Sequence, residues 1–520
     1  MGEELRLIQK PKKGLAKLIF SRTGMVLLLM VICALALFAV FTFFAEWLAH
    51  IVGGVELFNL IVIIYLINTD MDSTAKVTWI LIIAVTSVFG AIFYIYTRND
   101  IVNGKVKKTY QKIYDEHREE IRQNPETLKQ LKEASPESAA LLHYLNNNQR
   151  VIASGENEIT YYPLGEQKWE AMLEELRKAE KFIFMEYFII DEGKMWGQIL
   201  RILKEKVEAG VEVRVLYDGT CAMSTLPYAY PKMLQELGIQ CAMFSPLMPF
   251  VSTHYNYRDH RKILVIDGKV AFNGGVNLAD EYINAIDRFG HWKDTAVRIK
   301  GEAVKNLTLM FLDMWSYDVK DPEYQKYLDV PYDRYPEEKG FAFSYGVNPF
   351  DRNRVGEKVY IDIIDNAKSY VHIMTPYLIL DDELLQSLKY AAMRGVDVKL
   401  ILPGIPDKKA VYCLAKTYFD TLIESGVEIY LYTPGFVHAK VFVSDDVKAV
   451  VGTINLDYRS LYHHFECATY MYDCACIGDI KQDFEETVAK CRKVESGDYR
   501  KEKLIDRVTG RIVRLFAPLL

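Results

Sequence analysis

Most of the chain beyond residue 150 is written twice. Trp169, Met172, Leu173 and Leu176 recur at i, i+3, i+4 and i+7, the period of one buried helical face, and Tyr360, Ile363, Ile364 and Ala367 repeat the pattern. The strand-like MEYFI at 185–189 returns as TPYLI at 375–379, and VEVRVLYDG at 211–219 as VDVKLILPG at 396–404. GIQCAMFSP at 238–246 likewise returns as GVEIYLYTP at 426–434. Each copy alternates strands with helices, which predicts an α/β fold of two homologous lobes, each a mixed β-sheet flanked by helices. Their length, about 180 residues, excludes a solenoid, whose units are far shorter. The expected lobes are 151–335 and 336–498.

The chemistry recurs at matched places. His260, Lys262, Asp267, Gly274, Gly275 and Asn277 in the first copy match His438, Lys440, Asp445, Gly452, Thr453 and Asn455 in the second, at identical spacing. A histidine and a lysine two apart on a strand project to one face, so an imidazole and an ammonium can converge on one phosphate. The Gly-Gly-Val-Asn and Gly-Thr-Ile-Asn loops let backbone approach closely, and the amides of Asn277 and Asn455 can donate to a phosphoryl oxygen. If the lobes face one another, two histidines and two lysines suit in-line displacement at a phosphodiester. One imidazole attacks, the other protonates the leaving oxygen, and the lysines stabilise developing charge. Asp267 and Asp445 are candidate catalytic residues as third motif letter, yet a strand-end aspartate followed by Gly268 or Asp446 also reads as a turn former.

No cofactor or metal is expected. The eight cysteines are scattered, and His463 and His464 form no metal spacing with nearby carboxylates. A net charge of -6 also argues against a nucleic-acid partner.

The first hundred residues differ in texture. Segments 24–45 and 77–96 carry no charge and are long enough to span a bilayer, and 47–67 reads as a third span or an interfacial segment. A cleaved signal peptide fits poorly, since the first run closes in Phe-Thr-Phe-Phe. With two spans, Lys10, Lys12, Lys13, Lys17 and Arg22 lie on the same side as Arg98, Lys105, Lys107 and Lys108, as the positive-inside rule asks; with three, the catalytic region faces outward. The expected organisation is a membrane region over 1–98, a solvated helical linker over 99–150, the two lobes, and a basic amphipathic segment over 499–520. In that last segment Arg507, Arg511 and Arg514 alternate with Leu504, Val508 and Ile512, as in a docked helix or a membrane-surface helix.

The duplicated H-x-K-x4-D-x6-G-[GT]-x-N pattern resembles the phospholipase D superfamily. The chain is similar to bacterial cardiolipin synthases nearly throughout, including STAKVTWI (73–80), NYRDHRK (256–262), GGVNLADEY (274–282), NLDYRS (455–460) and RLFAPLL (514–520). The resemblance implies a multi-pass enzyme of the bacterial cell membrane that makes cardiolipin and glycerol from two phosphatidylglycerol molecules through a phosphohistidine. A hydrolytic phospholipase D or another phosphatidyltransferase would share the same site. It further implies that His260 is the nucleophile and His438 the acid, and that an acidic residue beyond each motif orients the histidine of the opposite lobe. Those positions are Glu466 for His260 and Asp294 for His438. Two departures stand out: His464 precedes Phe465 and Glu466 where the family commonly has Asn, and Lys293 follows Trp292 where Arg is frequent. Oligomeric state is not legible.

Overall fold

A computed structural model describes residues 4–8, 22–49, 53–98, 101–117, 119–246, 257–317, 319, 323–351 and 353–519. Lys10, Lys12, Lys13 and Lys17, on which the topology argument rests, lie outside the described residues.

The first lobe holds β1 (Glu158–Tyr162), β2 (Phe182–Tyr187), β3 (Glu212–Asp218), β4 (Gln240–Phe244), β5 (Lys262–Ile266), β6 (Val270–Gly274), β7 (His291–Lys293) and β8 (Ala296–Lys300). The second holds β9 (Phe341–Val347), β10 (Tyr370–Met374), β11 (Asp397–Pro403), β12 (Glu428–Tyr432), β13 (Gly435–Val437), β14 (Val441–Ser444), β15 (Lys448–Gly452), β16 (Glu466–Tyr472) and β17 (Cys491–Lys493). One sheet runs β1-β8-β6-β5-β2-β3-β4 and the other β17-β12-β11-β10-β14-β15-β16-β9. Within them β2, β3 and β4 correspond to β10, β11 and β12, parallel triplets joined by helical crossovers, while β5–β6 and β14–β15 are the matching antiparallel hairpins. The helices Gly165–Lys178 and Val355–Asn366 bury the expected apolar faces, including Trp169, Met172, Leu176, Tyr360 and Ile363.

The lobes meet through a shared core in which Phe184 and Val265 of one pack with Val441 and Met471 of the other. A two-stranded parallel pair, β7 with β13, crosses the boundary.

The region expected to be a solvated linker differs. Helices Pro125–Ala134 and Pro136–Asn146 carry Leu131, Leu141, Leu142 and Leu145 into the second lobe's core beside Tyr345 and Val359. The apolar residues are sparse, but they fall on one helical side, and that suffices to dock it.

The N-terminal apolar runs also depart from expectation. Residues 77–96 are not one helix: Ser73–Thr86 and Val88–Arg98 are separated by Ser87, whose φ of 54° breaks the ladder. The middle run forms the short helix Gly54–Ile67. Among the described residues no helix is long and apolar enough to cross a membrane. The C-terminal helix Leu504–Leu515 docks through Gly510, where a Cβ would sit 2.2 Å from the carbonyl oxygen of Cys413, and leaves Leu504, Ile505, Ile512 and Leu515 exposed. It also meets the N-terminal helices, since Thr78 donates its hydroxyl to the carbonyl of Leu515 at 2.7 Å.

Candidate active site

Two cross-lobe backbone registers build the site. Asp259 bridges Phe465 in parallel, and the next residue on each side brings His260 against Glu466, with Nδ1 2.8 Å from Oε2. In the other half Val437 pairs with Lys293, and the next residues bring His438 against Asp294, with Nδ1 2.6 Å from Oδ2. The backbone N–H of His260 donates to the Phe465 carbonyl at 2.9 Å and that of His438 to the Lys293 carbonyl at 2.7 Å. Each histidine is thus held by the opposite lobe through main chain first and carboxylate second.

The glycine loops explain why the lobes differ by one letter. A Cβ on Gly275 would lie 2.1 Å from Asp294 Oδ1, so the carboxylate fills the space a side chain would take. In the second lobe Thr453 occupies that position and donates its hydroxyl to Glu466 Oε2.

Lys262 and Lys440 begin β5 and precede β14, each with its ammonium on the carbonyl of its own histidine. Lys440 Nζ also lies 2.9 Å from His438 Nδ1. Burial lowers both amines, Lys262 to about 8 and Lys440 to about 7. It also lowers His438 to about 4, aided by the Lys440 charge and opposed by Asp294. His260 falls well below the ordinary imidazole range, first through burial and then through the charges of Lys262, His464, Lys440 and His438. Burial drives Glu466 the opposite way, well above the usual carboxylate range.

Asn277 is fixed by accepting from the Ile189 N–H at 3.0 Å and donating to Tyr282 Oη at 2.7 Å, with the Tyr282 ring 5.4 Å from that of His438. Asn455 donates to Ser460 Oγ at 3.0 Å. Among the described residues each amide nitrogen donates once, which leaves its second N–H for a ligand.

Asp267 and Asp445 do not join this group, which corrects their place among the catalytic residues. Both follow the far ends of the strands that start at the lysines, some five residues or about 16 Å away. Asp267 accepts from the backbone N–H groups of Glu180, Lys181 and Phe182 at 2.7–2.8 Å, and Asp445 from those of Lys368, Ser369 and Tyr370 at 2.7–2.9 Å. With φ of 54° at each, they tie the hairpin turn to the start of β2 or β10.

Other buried polar groups surround the two His-Lys pairs, and of these Lys168 was not singled out by motif. Lys168, on the helix Gly165–Lys178, donates to Tyr187 Oη at 3.2 Å and is lowered to about 7 by burial, with the Asp294 charge raising it. Its place beside Trp169 on the buried helix face, which also carries Glu175, is the signal the sequence offers. Lys293 forms a buried pair with Asp483 at 2.7 Å, tying the first lobe to helix Cys476–Val488 of the second. His464 is the other surprise. Contrary to the spacing argument, His260, His464 and Glu466 gather with potential ligand atoms all within 4.8 Å of one another. His260 arrives from the other lobe, so no spacing along the sequence marks the cluster.

Two α/β lobes that each present a histidine and a lysine from matched strands, joined about one polar centre, define a duplicated phospholipase D-like domain. The family model described as "Cardiolipin synthase, PLD-like domain" matches residues 172–315 and 360–488, and a phospholipase D–nuclease N-terminal model matches 57–99. A protein of Alkalihalophilus pseudofirmus named cardiolipin synthase is 32% identical over 92% of this chain and 95% of its own, and one of Halalkalibacterium halodurans is 31% identical over 95% and 99%. An uncharacterized protein of Streptococcus mutans is 53% identical over 88% of this chain and 99% of its own. The crystal structure of phosphatidylserine synthase from Haemophilus influenzae shares the fold, with a TM-score of 0.54 at 16% identity, covering 74% of this chain and 98% of that one. The chain belongs to the PLD-like cardiolipin synthase family of phosphatidyltransferases.

Proposed function

We propose that this enzyme transfers a phosphatidyl group from one phosphatidylglycerol to the hydroxyl of another, giving cardiolipin and glycerol. The observation that carries the reading is the pair of buried imidazoles, one per lobe, each against a carboxylate of the opposite lobe and beside a buried ammonium. His260 Nε2 attacks phosphorus, the P–N bond forms, and the P–O bond to glycerol breaks as His438 gives its proton to the departing oxygen. The second phosphatidylglycerol then loses its hydroxyl proton to His438, its oxygen bonds to phosphorus, and the P–N bond breaks. Asp294 opposes the lowering of His438 by charge and hydrogen bond, while burial first and then the charges of Lys262 and Lys440 keep His260 unprotonated for attack. A phosphodiester anion arriving beside Lys262 and Lys440 favours the imidazolium of His438 further. Lys262, Lys440, Asn277 and Asn455 hold the phosphoryl oxygens.

The apolar composition of the N-terminal region 1–98 and the exposed apolar side of Leu504–Leu515 support attachment to the bacterial cell membrane. The test is purified full-length protein in phosphatidylglycerol micelles with labelled lipid. Labelled cardiolipin with stoichiometric glycerol is expected; phosphatidic acid alone would replace this reading with hydrolysis.

A further inference from the structure

We propose that His260, His464 and Glu466 form a reversible inhibitory site for a borderline divalent cation of the Zn²⁺ class. The site begins with a residue the proposed chemistry leaves idle. His464 is 6% exposed, and among the described residues neither of its ring nitrogens has a hydrogen-bond partner. Its Nδ1 faces Glu466 Oε1 at 3.4 Å, and that oxygen also lacks a hydrogen bond among the described residues. Buried polar atoms left this way are rare and ask for a ligand. The two imidazole rings stand 5.3 Å apart, centroid to centroid, and one potential ligand atom from each of the three side chains falls within 4.8 Å of the others.

Two imidazoles and a carboxylate are the donor set of zinc sites that keep a fourth position open. Tetrahedral ligands about 2.0–2.1 Å from zinc lie roughly 3.4 Å from one another, so small side-chain rotations close the triad. Occupancy would pull His260 and Glu466 into coordination and remove the nucleophile from the lipid phosphate. Lys262, whose positive charge bears on both His260 and His464, opposes a resident cation. The site is accordingly a weak, reversible one and the cation an inhibitor, not a cofactor.

The binding claim stands on geometry alone; the inhibition claim rests on the proposed phosphatidyl transfer. The test titrates Co²⁺, as a spectroscopic substitute for Zn²⁺, into metal-stripped full-length protein in detergent and reads its visible d–d absorption. The wild type should titrate to a single-site plateau with excess Co²⁺ that Zn²⁺ reverses, whereas His464→Asn and Glu466→Gln should lose binding at least tenfold. Zn²⁺ should depress wild-type transfer about tenfold and that of His464→Asn less than twofold, each against its own metal-free rate. Melting curves check the fold, and His260→Ala, which must lose the same absorption, serves if His464→Asn does not fold. No Co²⁺ signal in the wild type, or an undiminished one in His464→Asn, overturns the site. Equal inhibition of wild type and His464→Asn overturns the inhibitory role. Binding without any lipid transfer would instead remove the functional reading and leave the site standing.

Discussion

Replacing Asp294 by Asn keeps the shape of the site and changes one hydrogen bond whose direction the structure dictates. Asp294 Oδ1 accepts from the Thr295 N–H at 2.8 Å, and Oδ2 lies 2.6 Å from His438 Nδ1. Asn can satisfy the Thr295 N–H only with its carbonyl oxygen, which turns the amide N–H₂ toward His438 Nδ1. That nitrogen then accepts, the ring carries its proton on Nε2, and His438 can become an imidazolium only by breaking the contact. A hydrogen bond to a charged group is worth about 1.5–3 kcal/mol, or roughly 10–150-fold in rate. Lys440 Nζ, 2.9 Å from the same Nδ1, also disfavours the imidazolium once the carboxylate is gone, which places the loss toward the upper end. The assay is the initial rate of cardiolipin formation from labelled phosphatidylglycerol, paired with rapid quenching to measure a phosphatidyl adduct on His260. The expected outcome is a loss within that range, an unchanged melting temperature and slower decay of the adduct. A loss below threefold, or an adduct mapped to His438, refutes the assignment of roles.

Other outcomes follow from the same geometry. With Lys440 near 7 and Lys262 near 8 in the free protein, kcat/KM should fall as pH rises through that interval and the ammonium charges are lost, while Lys440→Arg should move the limb upward; an unmoved limb counts against phosphate binding by Lys440. His438, lowered from 6.5 to about 4, is buried neutral, so its contribution to stability is present above 6.5 and lost as pH falls through about 4; melting temperatures of wild type and His438→Gln across that window should converge at the acid end. Asp267→Ala orphans three backbone N–H groups and should lower the melting temperature by several degrees, at about 1–3 kcal/mol for an unsatisfied buried group, with transfer at low temperature kept within threefold; lost activity at unchanged melting would return Asp267 to the catalytic set. Chelation should leave the transfer rate within twofold, and abolition reversed by Mg²⁺ would contradict the metal-free scheme.

The duplication, the two lobes and the membership of the two His-Lys pairs were legible from residue order, because strand and helix periodicities and equal spacings are one-dimensional properties. Asp267 and Asp445 mark the limit of that legibility. Their spacing from the histidines is invariant between the lobes, yet invariance cannot separate a residue that meets substrate from one that holds a turn. Three accepted backbone N–H groups at each make the distinction.

The sequence by itself determined which side chains each lobe contributes and in what order along each strand. The family resemblance implied that Glu466 would meet His260 and Asp294 His438; only the tertiary structure supplies the registers that bring them together, and only it adds His464 to the group. A parallel bridge between Asp259 and Phe465 and another between Val437 and Lys293 put His260 on Glu466 and His438 on Asp294, and the first of these also carries His464 to His260. Those registers join residues some 140–210 positions apart, and no local spacing encodes them, because they arise from the packing of two complete lobes through a shared core.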